Sequence, residues 1–292
     1  MTEYQNPSLE LRARVALDKH GFHNSHSLGQ NFIMDEALLN GLLDVAEAGP
    51  EDRVLEIGPG PGLMTALLAR RCKRVLAVEV DKSLEPVLAD VLAGLNNVEV
   101  RFQDIMKANM EELTGNEPYR VVANLPYYIT ADILLRLVTA KHAPESIAIM
   151  VQKEAAERVM SSPGTKAWCA LAATVQSYGA AEVLLDVPSE AFNPPPHVQS
   201  QFIIIRRHGV PIVTPKDERL YLRVINAAFA MRRKTLANNL KAAFGLDQAA
   251  AVSALEGAGL DARVRGEALS LQELSRLSDV LCDLTAGRSA PG

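Results

Sequence analysis

Seven consecutive residues carry the most suggestive chemistry in the chain: Asn124, Leu125, Pro126, Tyr127, Tyr128, Ile129 and Thr130. An Asn side-chain oxygen accepts one N–H, and the carbonyl of Leu125, ahead of a φ-locked proline, can accept a second. Tyr127 offers an aromatic face on which a flat ring can stack. The set suits an amino group attached to a planar heterocycle. Two acceptors aimed at one such nitrogen draw its lone pair out of conjugation and toward an electrophile. A proline turn that merely closes a strand is the competing reading of these residues alone, so the neighbouring elements decide.

Residues 119–123 are apolar and rich in β-branched side chains, which predicts a buried strand. Residues 131–138 have helical spacing, with Thr130 as the expected N-cap. The seven residues therefore occupy a strand-to-helix turn, where open parallel sheets bind ligands. An earlier predicted strand, 53–57, runs into Gly58, Pro59, Gly60, Pro61 and Gly62. A dinucleotide fingerprint needs glycine where this chain has Leu63. Pro59 and Pro61 also carry no N–H, whereas a pyrophosphate cradle depends on backbone donors. Gly58 and Gly60 still allow close approach, so a nucleoside without phosphates is the expected ligand, and S-adenosylmethionine fits. Glu79 ends the next predicted strand, where it can hold ribose hydroxyls. Asp104 follows the third strand, placed to accept an adenine amine of the cofactor.

These features fall in a regular alternation. Strands are predicted at 53–57, 74–80, 98–102, 119–123 and 146–151, and helices at 63–70, 84–93, 131–138, 153–160 and 166–178. That rhythm implies an α/β fold with a mostly parallel sheet covered on both faces. Strands at 182–187 and 198–206, around a loop at 192–196, predict an antiparallel edge. From residue 215 the pattern is only helical: 220–229, 235–244, 247–257 and 270–282. The expected organisation is an N-terminal appendage at 1–21, with one short helix carrying Leu9, Leu11, Val15 and Leu17. A Rossmann-like domain at 22–208, a small all-helical domain at 209–285 and a tail at 286–292 complete it.

The chain of 292 residues has 48% hydrophobic and 22% charged residues, as ordinary globular proteins do. It has no run of eighteen apolar residues and no signal-peptide layout, so no membrane span is expected. Cys72, Cys169 and Cys282 lie far apart, the histidines show no ligand pattern, and neither a metal site nor a disulfide framework is expected. A reducing cytoplasm fits best. The net charge of −5 weighs against a nucleic-acid partner for the molecule as a whole. Local basic clusters at 70–74, 206–208 and 232–234 weigh the other way.

Taken together, the residues resemble the KsgA-type family of small-subunit ribosomal RNA adenine dimethyltransferases over roughly 22–285. The resemblance lies in Leu28, Gly29, Gln30, Asn31 and Phe32, in Glu56 to Gly60, in Asn124 to Tyr127, and in Gln152, Lys153 and Glu154. It continues in Phe192, Asn193 and the prolines 194–196, and in Phe229 to Thr235. It implies a class I S-adenosylmethionine-dependent methyltransferase, with cofactor contacts at Asn31, Ile33, Gly58, Gly60, Glu79, Asp104 and Asn124. Asn124, Leu125, Pro126 and Tyr127 would receive the target adenine, with Phe192 on its other side. Arg232, Arg233 and Lys234 would grip RNA. The implied substrate is two adjacent adenosines near the 3′ end of 16S rRNA, in the small ribosomal subunit or its precursor, methylated by a cytoplasmic monomer. A large-subunit rRNA adenine methyltransferase and a non-catalytic assembly factor are the alternatives. A DNA adenine methylase is disfavoured by the absence of an evident target-recognition domain. Two departures remove positive charge from the expected RNA face: Asn24 to Leu28 lacks the family's usual basic residues, and His197 stands where lysine is common. Ile33 replaces the usual leucine.

Overall fold

The computed structural model describes residues 8–25, 28–115 and 117–288, and the chain divides into two compact units. The first comprises residues 1–156 and 181–207. Its sheet has seven strands in the order β4-β3-β2-β5-β6-β9-β7. These are β2 (Arg53–Ile57), β3 (Arg74–Glu79), β4 (Val98–Phe102), β5 (Arg120–Asn124), β6 (Ser146–Gln152), β7 (Gly179–Val187) and β9 (Ser200–Arg207). The first five of that order run parallel, and β9 pairs antiparallel with β6. Val121, Val122, Ala123, Ile147, Ala148, Ile149 and Met150 are almost fully buried. Strands apolar on both faces are stable only when helices cover both faces, which is why these sequences give a parallel, sandwiched sheet. Because β3 and β5 flank β2, the chain order reverses at β2, and a crevice opens beyond the carboxyl ends of β2 and β5.

The covering helices of this unit include α1 (Leu9–Lys19), α2 (Glu36–Val45), α3 (Leu63–Arg71), α4 (Glu85–Val91), α5 (Met110–Thr114) and α6 (Thr130–Val138). Asp35 caps α2 by accepting from the N–H groups of Ala37 and Leu38. A further pair of short strands, β1 (Phe32–Ile33) and β8 (Phe192–Asn193), is antiparallel, with Ile33 opposite Phe192.

The second unit comprises 157–180 and 208–292, with α8 (Ala170–Tyr178), α9 (Glu218–Ala230), α10 (Leu236–Phe244), α11 (Gln248–Gly257) and α12 (Leu271–Arg288); α7 (Lys153–Val159) spans the division. Its core gathers Trp168, Tyr221, Val224, Ile225, Leu240, Leu255 and Leu274. Fully buried Trp168 donates its indole N–H to the Leu269 carbonyl at 3.1 Å. Among the described residues no helix is long and apolar enough to cross a membrane.

Several expectations are revised. Residues 8–19 are no appendage: Leu9, Ala13 and Ala16 lie in the main core, while Leu11 and Val15 face solvent. The small side chains at 13 and 16 make the buried stripe, and the larger apolar ones misled the assignment. Thr130 opens α6 rather than capping it, and its hydroxyl donates to the Pro126 carbonyl at 3.1 Å. Residues 157–180, expected in the Rossmann-like domain, group with the helical unit, because Trp168, Ala172 and Ala173 belong to its core. The expected helix at 166–178 starts at Ala170. Of the expected tail, 286–288 continue α12 and 289–292 lie outside the described residues, as do Met1 to Pro7, His26 and Ser27.

Candidate active site

The loop between β2 and α3 spends all of its backbone donors internally. The Gly58 N–H donates to the Val78 carbonyl at 2.9 Å, and the Gly62 N–H to Pro59 at 3.0 Å. The Gly60 N–H donates to Glu79 Oε2 at 3.2 Å. Pro59 and Pro61 have none to give. Residues 58–62 therefore present no free N–H to a phosphate, and the loop suits a nucleoside without phosphates. Gly60 has φ +55°, and a Cβ there would lie 2.8 Å from Cδ1 and Cε1 of Phe32. Only glycine fits this close approach of loop to ring.

Glu79, 5% exposed, is the hub beside that loop. Its Oε1 accepts from the N–H groups of Val80 and Asp81, both at 2.9 Å. Burial raises its pKa, and the backbone N–H groups of Asp81, Gly60 and Val80 oppose the rise. Each carboxylate oxygen has two lone pairs, so Oε2, with one bond, retains capacity for a hydroxyl. Asp104 Oδ1 accepts from the Met106 N–H at 2.9 Å, and Oδ2 lies 3.5 Å from Lys107 Nζ. A cavity of about 330 Å³ is lined by Asn31, Ile33, Gly58, Gly60, Glu79, Asp104, Asn124, Leu125, Pro126 and Tyr127. All these predicted residues are thus brought to one place. Val80 and Ile105 line it too, and sequence reasoning missed them. The available signal was an apolar residue directly after each strand-end carboxylate, suited to clasp a flat ring.

At the end of β5 the Asn124 Nδ2 donates to the Asn31 carbonyl at 3.0 Å. That bond fixes the amide's orientation and leaves Oδ1 as the acceptor. The Pro126 carbonyl is consumed by the Ile129 N–H at 3.2 Å and by the Thr130 hydroxyl. The Leu125 carbonyl accepts no hydrogen bond among the described residues. Two unused acceptors therefore follow one another along the chain. Tyr127 is half-buried, and its hydroxyl pairs with Ser200 Oγ at 2.6 Å. Gln30, named in the sequence only as part of a motif, links Ser25 to Asp81 just after β3: Nε2 donates to Asp81 Oδ2 at 2.7 Å, while Oε1 accepts from the Ser25 N–H at 2.7 Å.

Phe192 does not join them. It is 3% exposed, sits in the main core opposite Ile33, and is not among the cavity's walls. The short β1–β8 ladder turns it inward, so the expected sandwich of a base between Tyr127 and Phe192 is not formed. In the helical unit Arg232 is committed to the Lys166 carbonyl at 2.6 Å and to Glu267 at 3.3 Å. Arg233 and Lys234 are exposed and unpaired among the described residues. The other basic clusters are largely neutralised: Arg71 pairs with Asp44, Arg74 with Glu99, and Arg206 with Glu47 and Glu182. Beneath the loop, Glu56 is fully buried, and burial pushes its carboxyl up to about 8. The nearby Thr65 hydroxyl opposes that rise without meeting hydrogen-bond geometry, and both Glu56 oxygens lack partners among the described residues.

Comparison with known proteins settles what this arrangement belongs to. A model of the ribosomal RNA adenine dimethylase family matches residues 21–279. The chain is a ribosomal RNA adenine dimethylase family member. Among relatives of the dimethylase, the ribosomal RNA small subunit methyltransferase A of Staphylococcus aureus (strain MRSA252) is 42% identical over 285 residues, covering 95% of this chain and 96% of that one. The protein of the same name from Geobacillus kaustophilus is 40% identical over 289 residues, covering 96% and 99%. A dimethyladenosine transferase from Plasmodium falciparum shares the dimethylase fold, with a TM-score of 0.71, 22% identity and coverage of 86% and 96%. The 23S rRNA methyltransferase ErmE gives 0.64, 26%, and 86% and 100%.

Proposed function

We infer that this chain transfers methyl groups from S-adenosylmethionine to the N6 atoms of two adjacent adenosines near the 3′ end of 16S rRNA. In this reading each adenosine is dimethylated, in the small ribosomal subunit or its precursor, by a monomer working in the cytoplasm. The observation that carries the reading is the pair of unused acceptors, Asn124 Oδ1 and the Leu125 carbonyl, in the same cavity as a glycine loop without free N–H groups. Names of the relatives favour the small subunit over the large.

S-adenosylmethionine, when bound, supplies an electrophilic methyl on a sulfonium centre. Gly58 and Gly60 would let its body lie against the loop, Glu79 Oε2 would accept from ribose, and Asp104 would accept from its adenine amine. Asn31 and Ile33 would close the near wall, and Val80 and Ile105 would clasp the ring. Asn124 and Leu125 would take the two N–H groups of the target amine and stabilise the positive charge that develops there. Tyr127, anchored through Ser200, would stack on the target ring. Because the alkylated amine is acidic, no strong base is needed and its proton passes to water. The task of the protein is alignment. Arg233 and Lys234 would hold RNA phosphates from the helical unit.

The test offers tritiated S-adenosylmethionine to purified enzyme with unmethylated small subunits and, separately, large subunits. Label in the small subunits alone is expected. Label only in large subunits, or in neither, would overturn the reading.

A further inference from the structure

The fold treats two neighbouring tyrosines after β5 in opposite ways. Tyr127 is half-buried with its hydroxyl fixed on Ser200. Tyr128 is 64% exposed, and its hydroxyl has no partner among the described residues. A large aromatic group left in water forgoes the free energy that burial would give, so its display calls for a use. The ring is nevertheless seated. It lies beside Gly29, where an added Cβ would be 3.4 Å from its Cδ1 and 3.5 Å from its Cε1. Tyr128 lines the same cavity as Asn124 and Tyr127, and with this exposure it stands at the opening.

A base that enters the cavity has left its stack, and the base beside it loses a stacking partner in the same event. An exposed aromatic face at the entrance replaces that partner, and such stacking accepts any base. We propose that Tyr128 is the platform on which the nucleobase adjoining the target adenosine stacks. It is a positioning residue for RNA and touches no reacting atom. The proposal rests on the RNA-methylating reading above and deepens it. A dimethylated adenine has no N6–H left for pairing but keeps its π face. The same platform therefore serves both rounds, holding an unmodified neighbour in the first and a modified one in the second.

The experiment compares Tyr128→Ala, Tyr128→Leu and Tyr128→Phe in methyl transfer to unmethylated small subunits, with S-adenosylmethionine affinity measured in parallel. Ala and Leu should raise the KM for subunits by about 5- to 100-fold, the range of one lost base–aromatic stack. Cofactor affinity should stay near wild type, which also reports an intact fold, and Phe should behave as wild type. An unchanged KM in Ala and Leu would overturn the platform while leaving the methylation reading intact. So would a parallel loss of cofactor affinity, which would make Tyr128 a cover for the cofactor, or a Phe variant as impaired as Ala. A wild-type enzyme that methylates no ribosomal RNA would remove the parent reading and the platform together.

Discussion

Replacing Asn124 with Ala removes two distinct interactions. One is the Nδ2 hydrogen bond to the Asn31 carbonyl at 3.0 Å. As a neutral, half-buried bond it contributes about 0.5–1.5 kcal/mol to stability, which in a chain of this size shifts Tm by only a few degrees. The other is the oriented Oδ1 acceptor. Loss of one preorganised group facing developing charge costs about 10²- to 10³-fold in rate, or about 2.7–4 kcal/mol. The second effect is the larger, so the variant should fold, bind the cofactor within about tenfold of wild type, and transfer at least about 10²-fold more slowly. Single-turnover transfer at saturating cofactor separates these quantities. Asn124→Asp sharpens the test: it keeps an acceptor but sets a carboxylate against the Asn31 carbonyl, so it should lose stability without regaining full rate. Turnover of Asn124→Ala within about threefold of wild type, or a defect wholly matched by lost cofactor affinity, would refute the reasoning.

Gly60→Ala meets both a φ of +55° and the Phe32 ring at 2.8 Å; left-handed backbone alone costs about 1–2 kcal/mol, so stability by urea unfolding should fall by at least about 1 kcal/mol, and unchanged stability would contradict the close-approach argument. Burial pushes the Glu56 carboxyl up to about 8 in the folded state, against an ordinary value of 4.5. Native protein then keeps a proton that the unfolded chain releases, so stability from this group is full below pH 4.5 and is lost as pH rises toward 8, by up to about 1.4 kcal/mol per pH unit. Urea unfolding at pH 6 and pH 8 should show a smaller loss for Glu56→Gln than for wild type, and parallel losses would count against it. Reversing Arg233 and Lys234 to Glu should weaken subunit binding and flatten the log–log salt dependence by about one for each cation. Cofactor affinity should not change, and an unaltered slope would remove these residues from the RNA contact.

The sheet was legible because its strands are apolar on both faces, a pattern that only a covered parallel sheet satisfies. The convergence of Gly58, Gly60, Glu79, Asp104 and Asn124 on one cavity was legible for a related reason: all sit at or just beyond carboxyl ends of strands, so predicting the strands predicts their convergence. What escaped depends on contacts distant in sequence. Phe192 faces inward because Ile33 pairs with it, and no local pattern announces a two-residue ladder. Trp168 joins the helical unit through Leu269, 101 residues away. The buried face of α1 is made by Ala13 and Ala16, not by the larger Leu11 and Val15, so residue size points to the wrong face there. Val80 and Ile105 were not singled out because each follows a carboxylate, Glu79 and Asp104, whose chemistry is the more conspicuous.

The central claim, that acceptors at the end of β5 present the N6 of adenine for double methylation, is tested most directly by the identity of the product. Unmethylated small subunits are incubated with enzyme and S-adenosylmethionine, and their RNA is digested with nucleases and analysed by mass spectrometry. The account predicts N6,N6-dimethyladenosine at two neighbouring positions near the 3′ end of the 16S RNA. Methyl groups on a ring nitrogen, on ribose, or only singly on N6 would contradict it.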